Sequence, residues 1–112
     1  MTLLDIGMAL MAVVPECYHL EATKQTDKYI VWGEYGQAGS MAGNNVILAQ
    51  AIAGDAHYFT KTEFDPNVEK IQEALNDLGI PWRLNSIQYE PDTRYQHFEW
   101  LWELDVEVGD SG

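Results

Sequence analysis

HFEWLWELDVEV, residues 97–108, decides how this chain of 112 residues folds. From Phe98 to Val108 apolar residues alternate with others. Phe98, Trp100, Trp102, Leu104, Val106 and Val108 share one parity; Glu99, Leu101, Glu103, Asp105 and Glu107 share the other. Successive side chains on a strand point to opposite faces, so the pattern predicts a strand with one apolar and one acidic face. The apolar face belongs in a core. Trp100 and Trp102 could instead form a ligand platform, but an aromatic stripe of this kind more often packs against a helix, contributing a few kcal/mol per ring through buried area. The acidic face poses the functional question: what does it look at?

The partner strand lies just upstream. WRLNSIQY, residues 82–89, has strand propensity, and EPDTR between the two carries the turn signals Pro91 and Asp92. Before it, FDPNVEKIQEALNDLGIP predicts a helix. Asp65 is its N-cap and Pro66 its first residue, and Val68, Ile71, Leu75 and Leu78 make one apolar stripe. Gly79 is the expected left-handed cap, Ile80 its hydrophobic contact and Pro81 the stop. KYIVWGEYG, residues 28–36, predicts another strand. VILAQAIAGDAHYFTK is ambiguous, since its alanines suit a helix and HYFTK suits a strand; we assign a strand over 48–60 with a bulge at Gly54. The N-terminal segment, Thr2 to about Val14, has two apolar stripes, 3/4/8/11/14 and 6/10/13. A helix apolar on more than one side is either deep in its own core or packs on a neighbour as well.

These elements predict one domain over residues 1–112, with an N-terminal helix (1–14), a mobile loop (36–45) and a C-terminal tail (106–112). The expected fold is α+β: a four-stranded antiparallel sheet with two helices on one face, in the order α-β-β-α-β-β. In the loop GQAGSMAGNN, Met41 is the one sizeable apolar residue, too little buried area to offset ordering entropy. It is either an idle surface loop or a docking arm that orders on a partner, with Gly36, Gln37, Gly39, Met41, Asn44 and Asn45 as its contacts.

Composition narrows the function. A net charge of −12, from 18 acids against 6 bases, opposes binding to nucleic acid or to an anionic membrane. Cys17 is the single cysteine, so no internal disulfide forms and nothing indicates an oxidising compartment. The apolar N-terminus has no basic start and is interrupted by Asp5, unlike a signal peptide, and is too short to cross a bilayer. An intracellular protein is expected. His19, His57 and His97 lie in different elements, and Cys17 and His19 fit no zinc spacing. GEYGQAG lacks the lysine and following helix of a phosphate loop. We therefore expect no enzyme, no cofactor and no metal.

The ordered set of segments resembles a known family. DKYIVWGEYG, the strand end Tyr58-Phe59-Thr60-Lys61, the amphipathic helix closed by Gly79, and a hairpin carrying Tyr89, Glu90, Asp92, Thr93, His97 and Phe98 look like the tail-terminator, or tail-completion, proteins of long-tailed bacteriophages and prophages, also described as minor capsid or neck proteins. The resemblance covers roughly residues 28–105. It implies a structural virion protein, located in the tail or neck and in the host cytoplasm during assembly. Such a protein forms a ring, a hexamer in the family, that caps the tail tube and ends its polymerisation. Its partners would be itself, the tail tube protein and a head connector or stopper protein, with no catalytic residues. The acidic face then has a candidate role: Glu99, Glu103, Asp105 and Glu107 as channel-facing acids that repel DNA phosphate. The plainer alternative is a solvated face kept soluble by charge. Outside the resemblance, a small non-enzymatic adaptor or ligand-binding module with a similar sheet remains the second reading.

Overall fold

The structure is a computed structural model and describes residues 1–38 and 49–107. Its elements are α1 (Leu3–Val13), β1 (Cys17–His19), β2 (Lys28–Gln37), β3 (Ala49–Thr60), α2 (Asn67–Leu78), β4 (Trp82–Glu90) and β5 (Tyr95–Glu107). One mixed sheet runs in the order β1-β2-β3-β5-β4. All pairings are antiparallel except β1 with β2. The four-stranded antiparallel expectation is therefore corrected to five strands, in the order α-β-β-β-α-β-β. The added strand, Cys17-Tyr18-His19, is too short to show a hydrophobic period. It exists because β2 offers its edge: Ile30 N–H donates to Glu16 O at 2.8 Å and Leu20 N–H to Trp32 O at 2.7 Å.

The alternation in β5 sorts the sheet as expected. Trp100, Trp102 and Leu104 are buried, in one core with Ile30, Trp32, Ala56 and Tyr58 of the sheet, Ile6, Leu10 and Val14 from the α1 side, and Ile71 and Leu75 of α2. Leu78, also expected there, packs against this core while only partly buried. Both helices thus cover the same face. The tryptophans are too deep to be a ligand platform. Trp102 Nε1–H donates to Asp55 O at 2.9 Å and Trp100 Nε1–H to Gln72 Oε1 at 3.1 Å, so neither indole nitrogen is left unpaired.

Local chemistry explains the helix ends. Asp5 Oδ2 accepts from Thr2 N–H at 2.7 Å, the returning half of a capping box that starts α1. The N-cap of α2 is Pro66, one residue after the expected Asp65, whose carboxylate still accepts from Asn67 N–H at 2.9 Å; Gly79 closes the helix at φ 74°. The same Asp65 carboxylate is buried and receives Tyr58 Oη–H at 2.6 Å and Thr60 Oγ1–H at 2.7 Å, with Lys28 Nζ at 3.4 Å. The helix start is thereby bolted to β3 and β2.

Three boundaries differ from expectation. Gly36 and Gln37 belong to β2, opposite Ala53 and Ile52, and not to a loop. Val106 and Glu107 belong to β5, and not to a tail. The bulge lies on β2 between Glu34 and Gly36, and not at Gly54. Gly54 has another reason to be glycine: a Cβ there would collide with the Trp102 ring and the Gly33 carbonyl oxygen.

Candidate functional site

Residues directly opposite one another on antiparallel strands share a face. On the face away from the helices, Val31, His57 and Glu99 form one cross-strand row, flanked by the rows Gly33–Asp55–Leu101 and Tyr29–Phe59–His97. The acidic face of β5 therefore looks partly at histidine. His57 Nε2 lies 3.2 Å from Asp55 Oδ2 and 3.7 Å from Glu99 Oε2. Its Nδ1 lies 2.7 Å from His97 Nε2. The other Glu99 oxygen, Oε1, accepts from Asn85 Nδ2 at 3.0 Å and Ser86 Oγ at 3.3 Å, both from β4. The ligand atoms of Asp55, His57 and Glu99 all lie within 4.8 Å of one another.

Electrostatics follow from this geometry. The Asn85 hydrogen bond above all, helped by His57, Ser86 and His97, holds the Glu99 carboxyl below its usual value against the opposing effect of burial. Burial, and then the neighbouring His57, hold the His97 imidazole below its ordinary value. An aromatic group closes one end of the cluster. Phe59 stacks on Tyr29 and on His97 with ring centroids 4.7 and 4.2 Å apart. Tyr95 meets both Tyr29 and Phe59 edge-on, and its hydroxyl donates to Thr26 O at 2.7 Å.

The sequence reading kept His57 and His97 apart because they lie in different elements. A signal was present nonetheless: Asp55-x-His57 and His97-x-Glu99 each place two polar groups on one side of a strand. Pairing them requires β3 beside β5, across an intervening helix and strand. Cys17 and His19 do not cooperate. Burial pushes the Cys17 thiol up to about 11, which leaves it unreactive, and His19 Nε2 engages Glu34 Oε1 at 2.7 Å.

Of the four acids singled out in β5, Glu99 is tied up by Asn85, Ser86 and His57, whereas Glu103 and Asp105 are exposed. The Glu107 side chain lies outside the described residues, as do Gly39, Met41, Asn44 and Asn45 of the docking loop.

Among the described residues, two groups of exposed apolar side chains stand out. On α1 the core side is Ile6 and Leu10, continued by Val14; of the 3/4/8/11/14 stripe, Val14 is buried and Leu3 packs on the core, whereas Leu4, Met8 and Met11 are 66%, 60% and 50% exposed. Ala9, Ala12 and Val13 line the groove shared with α2, and at 3.6 residues per turn the Leu4–Met8–Met11 row points away from both that groove and the core. The second surface lies at the β4 edge of the sheet. Phe64, Val68, Ile87 and Phe98 line a groove of about 510 Å³ between the start of α2 and β4. Phe64 is 90% exposed and held at φ 53°, a conformation that a bulky residue rarely adopts.

No family model matches the chain, and no curated protein matches it.

Proposed function

We propose that this protein is a ring-forming assembly component of a phage or prophage tail, which caps the tail tube and presents a surface for head joining. The observation that carries the reading is the pair of unlike apolar surfaces, one on the outer side of α1 and one at the β4 edge of the sheet. An isologous dimer would use one patch twice; two different patches at separate places suit head-to-tail contacts that close into a ring. In the proposed contact the Leu4–Met8–Met11 flank of one copy packs into the Phe64–Ile87 groove of the next. Methionine suits such a contact because its unbranched side chain fills irregular gaps. The number of copies, six, comes from the family resemblance, as do the tail tube and connector partners. In such a ring the helix-free face of each sheet is available to the lumen, where exposed Glu103 and Asp105 would repel phosphate and let DNA slide.

Complementary variants test this. Met8→Asp spoils one surface and Ile87→Asp the other, and both positions are exposed, so the fold should survive. Native mass spectrometry and electron microscopy, with the protein alone and on assembled tail tubes, should show rings for the parent chain and none for either variant. Mixed together, the two variants should stop at a dimer, because one sound surface of each kind remains. A parent chain that stays monomeric in both settings, or variants that still form rings, would overturn the reading.

A further inference from the structure

We propose that Asp55, His57 and Glu99 form a binding site for a divalent first-row transition-metal ion of the zinc class, with His97 as the group that orients the His57 ring. This inference is independent of the ring reading.

His57 Nε2 faces two carboxylate oxygens, Asp55 Oδ2 at 3.2 Å and Glu99 Oε2 at 3.7 Å. A single N–H directed at either oxygen leaves the other poorly served, and without the proton a lone pair faces two anions. One cation bound to all three atoms removes both problems. The spacing suits it: ligand bonds of about 2.0–2.2 Å at tetrahedral angles place neighbouring donor atoms about 3.3–3.6 Å apart. The two separations to His57 Nε2 fall on either side of that edge length, and the Asp55 and Glu99 oxygens lie within 4.8 Å of each other.

The surroundings hold each ligand in place. A metal-bound imidazole needs a partner for its other nitrogen, and His97 Nε2 lies 2.7 Å from His57 Nδ1. His97 Nε2, through its lone pair, can accept that N–H. Glu99 is anchored through Oε1 by Asn85 and Ser86, which leaves Oε2 directed at the site. Asp55 and His57 sit two residues apart on β3, and Glu99 is the cross-strand partner of His57 on β5. The ligands therefore stand on β3, the central strand, and on β5 beside it, whose spacing the backbone ladder sets. Their side chains are 22–29% exposed, so an ion can enter without unfolding. An imidazole in the set selects zinc, cobalt, nickel or copper over magnesium and calcium, which prefer all-oxygen shells. Three protein ligands leave a coordination position open to water or to another donor.

The test uses the full chain stripped of metal with a chelator. Calorimetry with zinc chloride should give one ion per chain, and magnesium should give none. Cobalt(II) should develop visible absorption at the same stoichiometry. Glu99→Gln and His57→Gln should each weaken zinc binding about tenfold or more, and His97→Gln by about 10–100-fold as loss of an orienting partner. His19→Gln, beside the other histidine–carboxylate pair, should leave binding unchanged. Long-range nitrogen-15 spectra of the unmutated chain give a readout that does not depend on any variant folding: zinc should shift the His57 and His97 ring resonances and leave those of His19 in place. Absence of zinc binding at about 100 μM, an affinity weaker than about −5.5 kcal/mol, would overturn the proposal. So would zinc binding that the Glu99 and His57 variants retain, or shifts confined to His19.

Discussion

Gly54→Ala adds one methyl group, and the structure sets what that methyl meets. The new Cβ would overlap the Trp102 ring and the Gly33 carbonyl oxygen. The carbonyl is held by the β2–β3 ladder, in which Gly33 pairs with Asp55 and Glu34 with Gly54. The ring must move instead. Trp102 is 1% exposed, and its Nε1–H donates to Asp55 O at 2.9 Å, so movement strains the core and breaks a buried hydrogen bond. Overpacking costs about 1–3 kcal/mol and the lost bond about 0.5–1.5 kcal/mol. Reduced backbone freedom of the unfolded chain returns about 0.4–1 kcal/mol. The net expectation is a destabilisation of about 0.5–4 kcal/mol, centred on about 2 kcal/mol. With a urea slope of about 1–3 kcal/mol/M, the central value lowers the unfolding midpoint by about 0.7–2 M. Gly36→Ala is the control: it lies on the adjacent strand, its φ is not positive, and nothing lies within 4 Å of the added Cβ. Gly36→Ala should be neutral or slightly stabilising. Equal urea midpoints for Gly54→Ala and Gly36→Ala would refute the reasoning about Trp102 and the β2–β3 register.

Leu75 is fully buried on the core side of α2, so Leu75→Ala should lower stability by about 2–5 kcal/mol in denaturant melts. Burial raises the Asp65 carboxyl, but hydrogen bonds from Tyr58, Thr60 and Asn67 and the charge of Lys28 outweigh it and hold the group below its ordinary value. Its contribution to stability is therefore present above the unfolded Asp value, about 3.9, and is lost as pH falls through the lower folded value. Melts from neutral to acid pH should show Asp65→Asn less stable than the parent at neutral pH, with the gap narrowing in that acid window. The Cys17 thiol, pushed up to about 11 by burial, should react slowly with a thiol reagent at pH 8 in the folded protein and quickly after denaturation.

What the sequence determines by itself is whatever depends on near neighbours. The alternation from Phe98 to Leu104 set which side of β5 would be buried, because the strand period is two. Asp65, the Val68–Leu78 stripe and Gly79 marked α2 to within a residue, since caps and a single apolar stripe act within one helix. What depends on partners far along the chain was decided only in three dimensions. Cys17–His19 becomes a strand solely because the edge of β2 is there to pair with it. The core side of α1 was chosen by the close approach of Gly7 to Trp32, where a Cβ would lie 2.5 Å from the ring. That choice left Leu4, Met8 and Met11 outside, although their apolar spacing is as regular as that of the buried residues. The Asp55, His57, His97 and Glu99 cluster exists because β3 pairs with β5 in a register that sets His57 opposite Glu99. Each strand shows its own alternation, but the register between strands so distant in sequence comes from packing both of them beneath the same two helices.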